Sequence, residues 1–72
     1  MRKKSTPNQR KARNRNWRLA QIVGMISSME EIKRNTTNPF IRAEIPKVIT
    51  KLTYFHLMIK DSNTSDWIDN EQ

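Results

Sequence analysis

Apolar side chains are nearly missing from the first sixteen positions, where only Met1 and Ala12 interrupt Lys, Arg, Asn, Gln, Ser, Thr and Pro7. From Trp17 the pattern changes. Leu19, Ile22, Ile26 and Met29 recur at spacings of three and four, with Ala20, Val23 and Ile32 widening the stripe, which is the period of an amphipathic helix. The short amide of Asn14 or Asn16 can cap its start. Lys33 and Arg34 suit the negative end of the helix dipole, and Asn35, Thr36, Thr37 and Asn38 form the stop and turn. Gly24 costs roughly 1 kcal/mol relative to alanine in a helix interior, and its expected benefit is close approach of a neighbouring helix.

Asn38 followed by Pro39 reads as a cap with proline at the first helical position, where the missing amide does no harm. Pro46 disfavours a helical conformation at Ile45. The sequence therefore predicts a short turn over residues 40–44, a kink near Pro46 and a main second helix to about Lys60. Ile41, Ile45, Val48, Leu52, Phe55 and Ile59 fall at steps of four, three, four, three and four, a heptad-like seam for packing on the first helix. Residues 62–65 form a polar break, after which Asp66, Trp67, Ile68 and Asp69 follow.

The predicted architecture is all-α: a two-helix antiparallel hairpin over residues 17–60, between a disordered basic arm (1–16) and a flexible acidic tail (61–72). At about 1.5 Å per residue its helices are about 27 and 22 Å long, a match that favours antiparallel packing. A core drawn from so few residues buries too little surface to offset chain entropy without disulfides, a metal or a partner. The chain has no cysteine, which removes disulfides and thiolate zinc sites and makes the cytoplasm the expected location. A homodimer, built as a four-helix bundle, or docking on a larger protein is the expected remedy. No apolar run is long enough to span a bilayer, so no membrane partner is expected. The apolar residues 19–26 after a basic front look superficially like a secretory signal, but Gln21, Ser27 and Ser28 interrupt them and their spacing is helical.

Charge adds the most information. The net charge is +7, and residues 1–18 hold Arg2, Lys3, Lys4, Arg10, Lys11, Arg13, Arg15 and Arg18 with no acid. The last twelve residues hold Asp61, Asp66, Asp69 and Glu71 with no base. An arm of this composition repels itself and cannot order alone. Within it, Arg10, Lys11, Arg13, Asn14, Arg15, Trp17 and Arg18 interleave cations and amides and finish with an indole. Guanidinium groups grip phosphates and purine edges, amides pair with base edges, and tryptophan stacks on an unpaired base. These seven are the candidate nucleic-acid-binding residues. If the first helix extends backward on binding, Arg10, Arg13 or Asn14, and Trp17 share one face. The segment resembles the arginine-rich RNA-binding peptides of phage antitermination and lentiviral export proteins over about ten residues, and that resemblance implies a helix seated in an RNA groove. Its position at the start of the apolar helix favours Trp17 as a core residue at the mouth of the hairpin over base stacking.

Catalysis and metal binding find no support in the residues. His56 is the only histidine, with no acid four residues away, and reads as a boundary residue with a wet edge. Glu30 and Glu31 read as solvated or paired with Lys33, Arg34 or Lys51. A single glycine cannot build a phosphate loop. No enzyme, cofactor or metal is expected.

The expected function is non-catalytic nucleic-acid binding, RNA ahead of DNA, with Leu19, Ile22, Ile26, Val48, Leu52, Phe55, Ile59 and Trp67 serving self-association or a partner. The small size, Lys/Asn-rich composition and charged ends fit an accessory protein of a phage or mobile element. The alternative is a protein-interaction module, such as an inhibitor or adaptor, whose arm steers it to an acidic patch. For the tail three roles are open: docking in a partner's groove, Trp67 folding over the hairpin's open end, or acids sitting on the arm in competition with nucleic acid.

Overall fold

The computed structural model describes residues 5–69. The ends of the predicted arm and tail, residues 1–4 and 70–72, lie outside these described residues. Helix α1 runs Pro7–Asn35 and helix α2 Pro39–Lys60, followed by a single 3-10 turn at Thr64–Asp66. A three-residue turn joins α1 to α2, so the two lie antiparallel. They form the predicted all-α hairpin, which measures 55 × 24 × 15 Å.

The first helix begins ten residues before Trp17, so residues 7–16 of the predicted disordered arm are helical. The cause is local. The Thr6 hydroxyl accepts from the Gln9 amide at 3.2 Å, while the Gln9 side chain accepts from the Thr6 amide at 2.9 Å. This is a capping box with Pro7 at the first helical position, and no further proline or glycine interrupts the helix before Gly24. A cap placed there outcompetes the Asn14 and Asn16 caps expected from the apolar pattern.

At the other end, Asn38 caps α2 as expected, its side-chain oxygen accepting from the amides of Phe40 and Ile41 at 2.9 and 3.2 Å. The Arg42 guanidinium reaches back to the Lys33 and Thr36 carbonyls at 2.9 and 3.2 Å. It thereby satisfies acceptors that the end of α1 would otherwise leave open. Residues 40–44 are not a separate turn: α2 is one uninterrupted helix with Pro46 inside it. Pro46 has no amide to give the Arg42 carbonyl. Ile45, the residue whose helical conformation a following proline disfavours, is buried at 5% exposure, so interhelical packing outweighs that local preference.

The seam consists of Leu19, Ile22, Ile26 and Met29 facing Ile45, Ile49, Leu52, His56 and Ile59, all buried or half-buried. Ile41, Val48 and Phe55, expected within it, stand beside it at 42%, 38% and 52% exposure, and Ile49 and His56 occupy the inward positions instead. Both sets share the three-four spacing and differ by one residue, about 100° around the helix. Because α2 is apolar over more than half its circumference, spacing alone does not choose between them. His56 keeps the half-buried boundary position expected of it.

Gly24 is not a close-approach site, since a Cβ there would meet nothing within 4 Å. Gly24→Ala should therefore raise the unfolding free energy by roughly 0.5–1 kcal/mol through helix propensity alone, seen as a higher denaturation midpoint by circular dichroism. A lower midpoint would mean that this face of α1 is in contact with something.

Candidate nucleic-acid interface

Helix α1 has 29 residues against 22 in α2, so its N-terminal turns project past the end of its partner. The chain after Lys60 turns back along that overhang. Arg10 donates through Nε and Nη2 to the two carboxylate oxygens of Asp69, both at 2.6 Å, and through Nη1 to the Ser5 carbonyl at 2.6 Å. The Arg10 and Asp69 side chains are only 19% and 14% exposed. This is the two-pronged geometry in which a guanidinium binds a carboxylate most strongly. Arg15 donates to the Ser62 carbonyl at 2.9 Å, and the Asn14 amide donates to the Ile68 carbonyl at 3.3 Å. The Trp67 indole donates to the Ser62 hydroxyl at 2.8 Å and lines a hollow with Ile22, Met25, Phe55 and Ile59.

Of the three roles open for the tail, two are thus present as geometry: Trp67 covers the open end of the hairpin, and an acid sits on the basic arm. Residues 61–69 thus form a strap laid along the start of α1. Asn14 lies beneath it at 8% exposure. Its Oδ1 and the Arg15 Nε have no hydrogen-bond partner among the described residues, so the strap does not fully satisfy the groups it covers, and buried polar atoms left in that state cost stability.

The other side of the overhang faces solvent. At about 100° per residue, Gln9, Arg13, Asn16, Trp17 and Ala20 fall within an arc of about 100°, and all five are exposed. Trp17 is 61% exposed, which corrects its reading as a core residue: Trp67 takes the place at the hairpin's mouth. Arg13 bonds the Ser5 hydroxyl at 2.6 Å and Arg18 the Gln21 side chain at 2.9 Å. Lys11 is half-buried at the edge.

Apart from Lys11 at the edge, the predicted site residues therefore split into two groups. Arg10, Asn14 and Arg15 lie against the strap, whereas Arg13, Trp17 and Arg18 are exposed. Between positions 5 and 29 the chain has no acid, and no acid occupies the first turn of α1. Arg10 lies in the first turn of α1, where the helix dipole disfavours a cation, and Asp69 offsets that cost. Spacing could not reveal the roles of Ser5, Ser62 and the Ile68 carbonyl, since no local pattern marks them. The opposite charge of the two chain ends was the one signal pointing to Asp69.

Among the described residues no group of His, Cys, Asp and Glu could hold a metal ion, and no helix is long and apolar enough to cross a membrane.

Asp69→Asn should loosen the strap: amide hydrogen exchange across residues 62–69 should speed up while the middle of the hairpin keeps its protection. Unchanged protection of the strap would show that Trp67, and not the Arg10 ion pair, holds it.

The chain matches no protein-family model, no curated protein and no solved structure.

Proposed function

We propose that this protein is a non-catalytic nucleic-acid-binding accessory protein that favours RNA over DNA and reads it with the N-terminal half of α1. The observation that supports this most directly is the solvent-facing strip of Gln9, Arg13, Asn16 and Trp17 on a helix half that carries five cations and no acid. Cations supply affinity for phosphate without sequence preference. Amides beside them offer hydrogen bonds to base edges, and an exposed indole four residues from Arg13 offers a stacking platform for an unpaired base. The last feature favours RNA, whose recognition centres on loops and bulges where bases are unstacked.

Asp69 occupies the Arg10 guanidinium as a phosphate would, so the strap and a polyanion compete for the same group. The size and Lys/Asn-rich composition suit an accessory protein of a phage or mobile element, and the absence of cysteine suits the cytoplasm. The second reading, docking on a larger protein as an inhibitor or adaptor, draws support from the apolar side chains left exposed on α2, among them Phe40, Tyr54 and Met58. Recovery of a partner from lysate before and after nuclease treatment separates the two, because a protein partner survives nuclease.

Binding should be measured by fluorescence anisotropy with a labelled RNA hairpin and a DNA duplex of matching sequence across a salt series. Arg13→Ala and Arg18→Ala together should weaken both and lower the log–log salt slope by roughly 0.7–0.9 for each phosphate that is no longer neutralised. Trp17→Ala should cost roughly 1–3 kcal/mol on the RNA loop and little on the duplex. Asp69→Asn should tighten binding at low salt. Variants of normal helicity that bind like the parent chain would sink the proposal. Parental affinity in Asp69→Asn alone would remove only the competition.

A further inference from the structure

We infer that the strap covers a second polyanion-binding face of α1, made of Arg10, Lys11, Asn14 and Arg15, and that a single-stranded stretch of RNA reaches this face by displacing residues 61–69 as a unit. The inference rests on the nucleic-acid reading above and assigns the strap-side residues their part in it.

The cations of this helix half are unevenly placed around it. At about 100° per residue, Arg10, Asn14, Arg18, Lys11 and Arg15 fall in that order within an arc of about 140°, while Arg13 stands about 60° outside it on the exposed strip. Four of the five cations between residues 10 and 18 therefore lie on the side toward the strap. Affinity for a polyanion grows with the number of phosphates that cations neutralise, and the strip that faces solvent offers Arg13 alone for that purpose. Arg18 is exposed at the margin of the strap and lines the hollow that receives Trp67, so a strand held at Arg18 arrives beside the strap's edge.

The segment that occupies this face identifies the ligand class. Residues 61–69 carry Asp61, Asp66 and Asp69 and no base, so what lies along the cations is itself a short polyanion. Asp69 meets Arg10 through two parallel hydrogen bonds, the arrangement in which a guanidinium also takes a phosphate. The rest of the face is matched less well. Asn14 is 8% exposed and donates to the Ile68 carbonyl across 3.3 Å, while its Oδ1 and the Arg15 Nε find no partner among the described residues. A carbonyl can only accept, so it leaves the Asn14 amide half satisfied. The edge of an unpaired base sets a donor beside an acceptor and meets both ends of an amide, and a phosphate offers the Arg15 guanidinium further oxygens. Exchanging strap for RNA thus replaces the ion pair in kind and adds bonds that the strap does not make.

The strap is built to come away without the hairpin. Trp67 lines the apolar hollow, whereas Ile68 is 71% exposed and residues 61–66 are polar. A segment with so little buried apolar surface opens locally while the structure beneath it stays folded. The Trp67 indole, bonded to the Ser62 hydroxyl at 2.8 Å, ties the far part of the strap to its beginning, so the segment lifts as one piece.

Hydrogen exchange of the parent chain, with and without a short single-stranded RNA, tests this without any variant. The amides of Asp66 and Trp67, bonded to the Asn63 and Thr64 carbonyls at 3.0 and 3.1 Å, should lose protection when RNA saturates the chain, while amides in the middle of α2 keep theirs. In a Trp17→Phe chain, which leaves Trp67 as the only indole, emission should shift to the red on binding and become open to quenching by acrylamide. A disulfide joining Asn14→Cys to Ile68→Cys, positions that the 3.3 Å hydrogen bond brings together, should hold the strap down. With helicity unchanged, this chain should bind RNA more weakly oxidised than reduced, its log–log salt slope lower by roughly 0.7 for each phosphate kept out. RNA binding that leaves the strap's protection and the Trp67 emission as they were, or equal affinity of the oxidised and reduced chains, would overturn the inference and leave the exposed strip as the whole interface. A parent chain that binds no RNA would overturn the nucleic-acid reading, and this inference with it.

Discussion

The pairing of Arg10 with Asp69, 59 positions apart, is the contact that ties the two ends of this chain together. Because α2 ends well before the first two turns of α1, their neighbour is the strap, on which Asn14 and Arg15 also make hydrogen bonds. The ion pair gives Arg10 a carboxylate partner, and the strap that bears Asp69 carries the Trp67 indole over the end of the interhelical seam. The same ion pair therefore has an electrostatic role and a packing role. Its strength comes from two parallel hydrogen bonds at a largely desolvated site, unlike the exposed Lys47 and Glu44 pair at 3.3 Å, which water screens almost completely.

The start of α1 is not built for the greatest stability. A helix start with acids in its first turn would be more stable, and a fully apolar inner face would be better packed. The arm instead has a buried Asn14 whose Oδ1, and an Arg15 whose Nε, find no hydrogen-bond partner among the described residues. The hairpin beneath it buries three isoleucines among the described residues and leaves Val23, Met25, Phe55 and Leu57 about half exposed.

Several features were legible from residue order. The start and cap of α2 at Asn38 and Pro39, the Leu19, Ile22, Ile26 and Met29 stripe, and the separation of charge between the ends all follow from short-range chemistry and appear as predicted. The early start of α1 was legible too, in Thr6, Pro7 and Gln9, but the scarcity of apolar residues beyond them masked that signal. Composition speaks to whether a segment can bury itself, whereas a capping box speaks to whether its backbone can start a helix, and here the second consideration prevailed.

By itself the sequence determined that the chain is two amphipathic helices joined by a short polar turn, with cations at one end and acids at the other. Those properties depend on neighbours a few residues apart. The tertiary structure alone decided which of the equivalent three-four stripes of α2 turns inward, since Val48 and Phe55 differ from Ile49 and His56 by a rotation that only the facing helix can fix. It likewise decided that Pro46 stays within a helix, that Trp67 and not Trp17 covers the hairpin's mouth, and that Asp69 meets Arg10. Each of these depends on groups far apart in the chain whose meeting is set by helix length and burial, quantities that no local pattern encodes.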